Sequence, residues 1–122
     1  MQHNKLSPEE ENILINKGTE APFTGEYCSN KAKGIYSCKQ CNAHLYTSES
    51  KFDSGCGWPA FSQESDAAKI KRIEDISRGM KRVEVRCSDC DSHLGHVFAE
   101  SKGERYCINS VCLKFEEWGK DD

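Results

Sequence analysis

The sequence predicts a mainly β domain of antiparallel strands, with one short N-terminal helix and a structural four-cysteine zinc site. Three observations carry that prediction. From Gly34 onward the apolar residues form short runs bounded by Gly, Ser, Asp or Asn instead of recurring at helical spacing. Ahead of them, Ser7-Pro8-Glu9-Glu10 has the composition of a helix start. Two Cys-x-x-Cys pairs, Cys38/Cys41 and Cys87/Cys90, lie far apart in the chain and together supply four thiols.

The elements follow in chain order. Ser7 suits the N-cap, Pro8 the first helical position and Glu10 the third, a capping box with its favoured proline, so a helix should run from about Pro8 to Asn16. Gly18 is suited to end it in the left-handed conformation, and Pro22 and Gly25 are turn residues. Strands are expected at Ile35-Tyr36, at Leu45-Tyr46, around Val83 and Val85, at Val97-Phe98, and along Tyr106 to Phe115. Ser77-Arg78-Gly79 and Ser101-Lys102-Gly103 read as hairpin connections. Residues 63–69 fit a helical turn or a loop equally, and Gly119 to Asp122 fit a frayed acidic tail.

Composition narrows the function classes. A chain of 122 residues has room for one domain, spanning 1–122. Seventeen Lys and Arg against 20 Asp and Glu give a net charge of −3, so no global basic field favours nucleic acid or anionic lipid. No apolar stretch approaches the ~18–20 residues that span a bilayer, and residues 1–20 lack the apolar segment of a signal peptide. The expectation is a cytoplasmic protein that binds neither nucleic acid nor membrane. With 36% hydrophobic and 30% charged residues the core is modest and benefits from a staple. Eight cysteines in a reducing compartment point to metal and redox chemistry rather than a disulfide scaffold.

Cys38, Cys41, Cys87 and Cys90 suit a tetrahedral zinc ion, because each tight knuckle presents two thiolates and zinc takes four ligands. A redox-active dithiol is the plainer alternative. Four thiolates leave no open coordination position, so such a metal stabilises the fold and does no chemistry. A clip of this kind suits a non-catalytic zinc-ribbon binding module as well as an enzyme.

The other cysteines differ in their surroundings. Cys56 sits in Asp53-Ser54-Gly55-Cys56-Gly57-Trp58-Pro59, where two glycines give the backbone freedom and Trp58 offers a large apolar face. An ordinary turn packing into the core is the other reading. Around Cys107, strand alternation puts Arg105, Cys107 and Asn109 on one face and Tyr106, Ile108 and Ser110 on the other. A guanidinium beside a thiol favours thiolate; a buried strand cysteine behaving as a small hydrophobe is the other reading. Continuing that alternation turns Cys112 away from Cys107. His93 and His96 follow the second knuckle and are either proton-transfer groups or hydrogen-bonded structural histidines. His3 and His44 lack such company. The stretch Lys69 to Arg86 holds seven basic and three acidic residues and reads as the solvated face of a hairpin.

Taken together, Gly18-Thr19-Glu20-Ala21-Pro22-Phe23-Thr24-Gly25, the two knuckles, Ser54 to Pro59, His93-Leu94-Gly95-His96-Val97-Phe98 and Arg105 to Ser110 resemble the methionine-R-sulfoxide reductases. The resemblance runs from Leu6 through Phe115. It implies two antiparallel β-sheets with a structural zinc opposite the active site. It implies Cys107 as the catalytic cysteine, Cys56 as the resolving cysteine that forms a disulfide with it, and Trp58 as the wall receiving the sulfoxide methyl group. His93, His96 and Asn109 then form the polar pocket, with Phe98 and Arg105 supporting it. It further implies oxidised protein or peptide substrates, thioredoxin as reductant, a role in repair of oxidative damage, and a monomer. Two departures stand out. Glu100 replaces the family's usual aspartate, and Ser101-Lys102-Gly103-Glu104 replaces its Asp-Gly-Pro loop. Cys28 and Cys112 have no role that the resemblance supplies.

Overall fold

The computed structural model describes residues 4–53, 55–63, 70–76, 79, 81–100 and 103–118. Helix α1 (Pro8–Leu14) begins with a complete capping box: Glu10 N–H donates to Ser7 Oγ at 3.2 Å and Ser7 N–H to Glu10 Oε1 at 2.8 Å. Its inner side buries Ile13 and Leu14. The helix stops two residues before the expected Asn16, and Lys17, not Gly18, takes the left-handed conformation (φ 62°). Gly18 is needed for a different reason. A Cβ there would lie 2.9 Å from Asn12 Nδ2, because the chain leaving the helix folds tightly back on it.

Among the described residues, nine strands build two antiparallel sheets, as the sequence led one to expect. The smaller joins β1 (Gly34–Cys38), β2 (His44–Thr47) and β9 (Leu113–Glu117) in the order β2-β1-β9. The larger contains β3 (Lys51–Phe52), β4 (Ala60–Phe61), β5 (Ile70–Asp75), β6 (Arg82–Cys87), β7 (His93–Glu100) and β8 (Gly103–Ile108), in the order β3-β4-β8-β7-β6-β5. Tyr46 from the small sheet stacks on Phe61 of the large one (centroids 4.3 Å apart) and meets Tyr106 edge-on at 5.5 Å, while Tyr36 meets Phe61 at 5.2 Å. Leu45, Val85, Ile108 and Leu113 complete this core. Full burial of side chains this size stabilises by about 1.5–3 kcal/mol each.

All the expected strands form, with two differences. Tyr106 to Phe115 is not one strand. β8 ends at Ile108, a 3-10 turn spans Ser110–Cys112, and β9 joins the other sheet. Asn109 breaks the ladder because its side chain is already engaged, with Nδ2 donating to Leu94 O at 3.0 Å and Oδ1 accepting from Glu20 N–H at 3.0 Å. The alternation argument for Cys112 therefore ends at that turn. β5, the first arm of the hairpin expected over Lys69 to Arg86, is not marked by an apolar run, since Ile70 and Ile73 are scattered among charges; pairing with β6 from Ile70↔Cys87 to Asp75↔Arg82 sets its extent. His3, Ser54, Ser77, Arg78, Ser101, Lys102, residues 64–69 and Gly119 to Asp122 lie outside the described residues. No described helix is long and apolar enough to cross a membrane.

Candidate active site and metal centre

Sheet register places the site. Residues directly opposite on paired strands point to the same side, and His96 stands opposite both Cys107 on β8 and Glu84 on β6, while Phe98 stands opposite Arg105. His93 is three residues before His96, so a regular strand would put it on the other side. The register shift opposite Val85/Arg86 pairs His93 with Arg86 and so brings both histidines to one face, their ring centroids 5.7 Å apart.

On that face is a cavity of about 290 Å³. Trp58 and Phe98 supply its aromatic walls, while His96, Arg105, Cys107 and Asn109 supply its chemistry. Thr19 and Arg82 also line it; both escaped sequence reasoning. The solvated hairpin face expected over Lys69 to Arg86 does not hold for four residues, Arg82 among them. Glu84 is 1% exposed, and the side chains of Asp75, Arg82 and Arg86 are 10%, 25% and 21% exposed. The signal was the alternation of Arg82, Glu84 and Arg86 with Val83 and Val85, which gives β6 one charged face turned toward the histidines.

Cys56 does not line the cavity itself but meets Cys107 from its loop, with Sγ 3.1 Å from Cys107 Sγ. Gly55 and Gly57 are both left-handed (φ 75° and 97°), and a Cβ on Gly57 would lie 2.6 Å from Pro22 Cβ. The segment around Glu20 ties the walls together. Its carbonyl accepts from Trp58 Nε1 at 3.0 Å, its N–H donates to Asn109 Oδ1, and its carboxylate accepts from Val111 N–H at 3.1 Å.

Arg105 is held from three sides. Its Nε donates to Glu100 at 3.0 Å, its Nη1 to Cys107 Sγ at 2.7 Å, and its guanidinium lies 4.9 Å over the Phe98 ring. The longer glutamate thus reaches the arginine despite the altered loop. Burial and the Cys56 thiol push the Cys107 thiol up to about 12, against the opposing pull of Arg105. The resting form is the thiol.

The histidines have different surroundings. His93 is buried and set behind His96, its Nδ1 2.7 Å from Glu84 Oε2, and burial lowers its affinity for a proton. His96 lines the cavity, with Nε2 2.9 Å from Asp75 Oδ2. Cys112 is fully buried and donates to His93 O at 3.2 Å. Cys28 lies against a separate cavity beside Lys51, whose Nζ donates to its carbonyl. His44 is exposed at the start of β2.

Cys38, Cys41, Cys87 and Cys90 form a second site, their sulfurs all within 4.8 Å of one another. The two knuckles repeat one construction. Asn42 and Asp91, each following the second cysteine, are left-handed (φ 68° and 65°) and donate N–H to Cys38 O and Cys87 O. Cys38–Cys90 and Cys41–Cys87 are each 3.5 Å apart, close to the ~3.8 Å edge of a tetrahedron with metal–sulfur bonds of about 2.3 Å. The donor set fits a metal ion.

Two cysteines in contact beside an aromatic-walled cavity, with four further cysteines clustered apart from it, are consistent with an oxidoreductase. The chain belongs to the SelR domain family, the methionine-R-sulfoxide reductases, whose model matches residues 6–117. Its four-cysteine cluster is consistent with the zinc form of that family. Membership of an enzyme family sets aside the non-catalytic binding module.

Proposed function

We propose that this chain, as one domain over residues 1–122, reduces methionine-R-sulfoxide in oxidised proteins through a sulfenic acid on Cys107 and a Cys107–Cys56 disulfide. The 3.1 Å contact of the two sulfurs carries the reading. Cys107 sulfur attacks the sulfoxide sulfur, the oxygen passes to Cys107, and methionine leaves. The Cys56 thiol condenses with the sulfenic acid, releasing water and forming the disulfide, and an external dithiol of the thioredoxin type reduces it by exchange.

The residues around the cavity suit these steps. Trp58 offers an apolar wall for the sulfoxide methyl group, with Phe98 and Arg105 closing the far side. His96 is the proton-exchanging group opposite Cys107 in the sheet, Asn109 adds to the polar side of the cavity, and buried His93 supports it from beside His96. Cys38, Cys41, Cys87 and Cys90 would hold zinc, which supplies folding energy and leaves no open position for substrate. The protein acts in the reducing cytoplasm as a monomer, repairing oxidised methionine.

The decisive measurement is chiral. Incubation with mixed epimers of dabsylated methionine sulfoxide, thioredoxin, its reductase and NADPH should consume the R epimer alone; equal loss of both epimers would sink the reading.

A further inference from the structure

Of the three acidic residues between Lys69 and Arg86, two each face one histidine of the site, and they hold them differently. Glu84 takes His93 at Nδ1 and is itself held by Arg86 Nε at 2.9 Å and Lys17 Nζ at 3.4 Å. His93 Nε2 is buried and meets no hydrogen-bond partner among the described residues. Asp75, at the end of β5, takes His96 at the opposite ring nitrogen, Nε2, and is also ion-paired with Arg82 Nη2 at 3.5 Å. An ionised carboxylate only accepts, so the nitrogen facing it carries the proton. With both rings neutral, these contacts favour opposite tautomers, His93 as Nδ1–H and His96 as Nε2–H.

We propose that Asp75 is a positioning residue for reduction at Cys107: by holding His96 as Nε2–H, it leaves Nδ1 as the nitrogen that exchanges a proton at the sulfoxide. The inference rests on the Cys107 reading above. It closes the proton balance of that step. Nδ1 accepts the Cys107 thiol proton as sulfur attacks and passes it to the sulfoxide oxygen; the substrate S–O bond breaks, the Cys107 S–O bond forms, and the imidazole returns to its starting state. The groups facing His96 are Asp75 from β5, Arg82 and Glu84 from β6, His93 on its own strand and Cys107 from β8. Of these groups, Asp75 makes the hydrogen bond to its ring.

The test is a long-range proton–nitrogen NMR correlation of the His96 ring in the full reduced chain, paired with single-turnover methionine release. In the unaltered protein, Nε2 should carry the pyrrole-type shift and Nδ1 the pyridine-type shift; the reverse assignment overturns the proposal and needs no variant. Asp75→Asn presents an amide that can donate, so it should abolish that tautomer preference and slow the single turnover by about 10²-fold, while Asp75→Glu should restore part of both. An altered tautomer with an unchanged rate also overturns it. A wild-type protein with the Nε2–H form but no release of methionine from the R-sulfoxide defeats the Cys107 reading instead, and with it the positioning role.

Discussion

Cys56 Sγ and Cys107 Sγ lie 3.1 Å apart without being bonded, about 1 Å outside disulfide length. In the proposed reaction Cys107 reacts first, and at this separation Cys56 can follow with little movement of the loop. The two serine variants should therefore fail at different steps. Cys107→Ser should lose even the first turnover, since a hydroxyl is far less nucleophilic than a thiolate. Cys56→Ser should release about one methionine per enzyme, stall as a dimedone-trappable sulfenic acid, and recover partly with dithiothreitol. Thioredoxin-driven recycling of Cys56→Ser at the wild-type rate would show that another thiol, Cys28 or Cys112, or none, resolves the sulfenic acid.

The same pair sets the reactivity of Cys107. Burial and the Cys56 thiol raise it toward about 12, while Arg105 pulls it down. Removing a raising influence increases the thiolate fraction at any given pH, and removing a lowering one decreases it. Iodoacetamide should accordingly label Cys107 faster in Cys56→Ala and slower in Arg105→Leu, each by several-fold near neutral pH. Mass spectrometry of the Cys107 peptide over time measures both, and equal labelling in the two variants would contradict the balance.

Local features of this fold were legible because local sequence determines them. The Ser7 capping box, the knuckles with left-handed Asn42 and Asp91, and the glycines around Cys56 depend on a few consecutive residues. What escaped depends on register. The irregularity that turns His93 to the side of His96 arises where β7 meets Arg86, and nothing in His93-Leu94-Gly95-His96 alone requires it. Asp75 and Glu84 looked like solvent charges because their histidine partners are on another strand. Asn109 ends β8 only because Glu20, far away in the chain, claims its side chain.

The four-cysteine cluster lies where the β1–β2 and β6–β7 connections meet, so a metal there couples the two sheets. Both knuckles must deprotonate and converge to bind it. Cys38→Ser or Cys87→Ser should lower bound zinc and melting temperature together, and chelation of the wild type should do the same. Absorption by a zinc-sensitive dye alongside calorimetry checks this; a variant without metal that melts like the wild type would remove the structural role.

Glu84 and Glu20 are both buried but should give stability opposite dependences on pH. Burial raises the Glu84 carboxyl, yet hydrogen bonds from Arg86 and His93 outweigh it and leave the group below its ordinary value of 4.5. Its contribution is complete above the unfolded value and fades as pH falls through the lower folded one. Glu84→Gln should therefore cost on the order of 2 kcal/mol at pH 7, with the deficit shrinking in acid. Glu20 is the reverse case. Burial raises it more than the N–H groups of Ser110 and Val111 lower it, and its Oε2 meets no hydrogen-bond partner among the described residues. Its contribution is complete below the unfolded value and fades as pH rises through the higher folded one. Gln resembles the protonated acid, so Glu20→Gln should gain on the wild type as pH rises from about 4 to 7, whereas Glu84→Gln loses ground over the same interval. Melting curves of both variants against the wild type across that range decide it, and parallel trends would mean that burial alone governs the two groups.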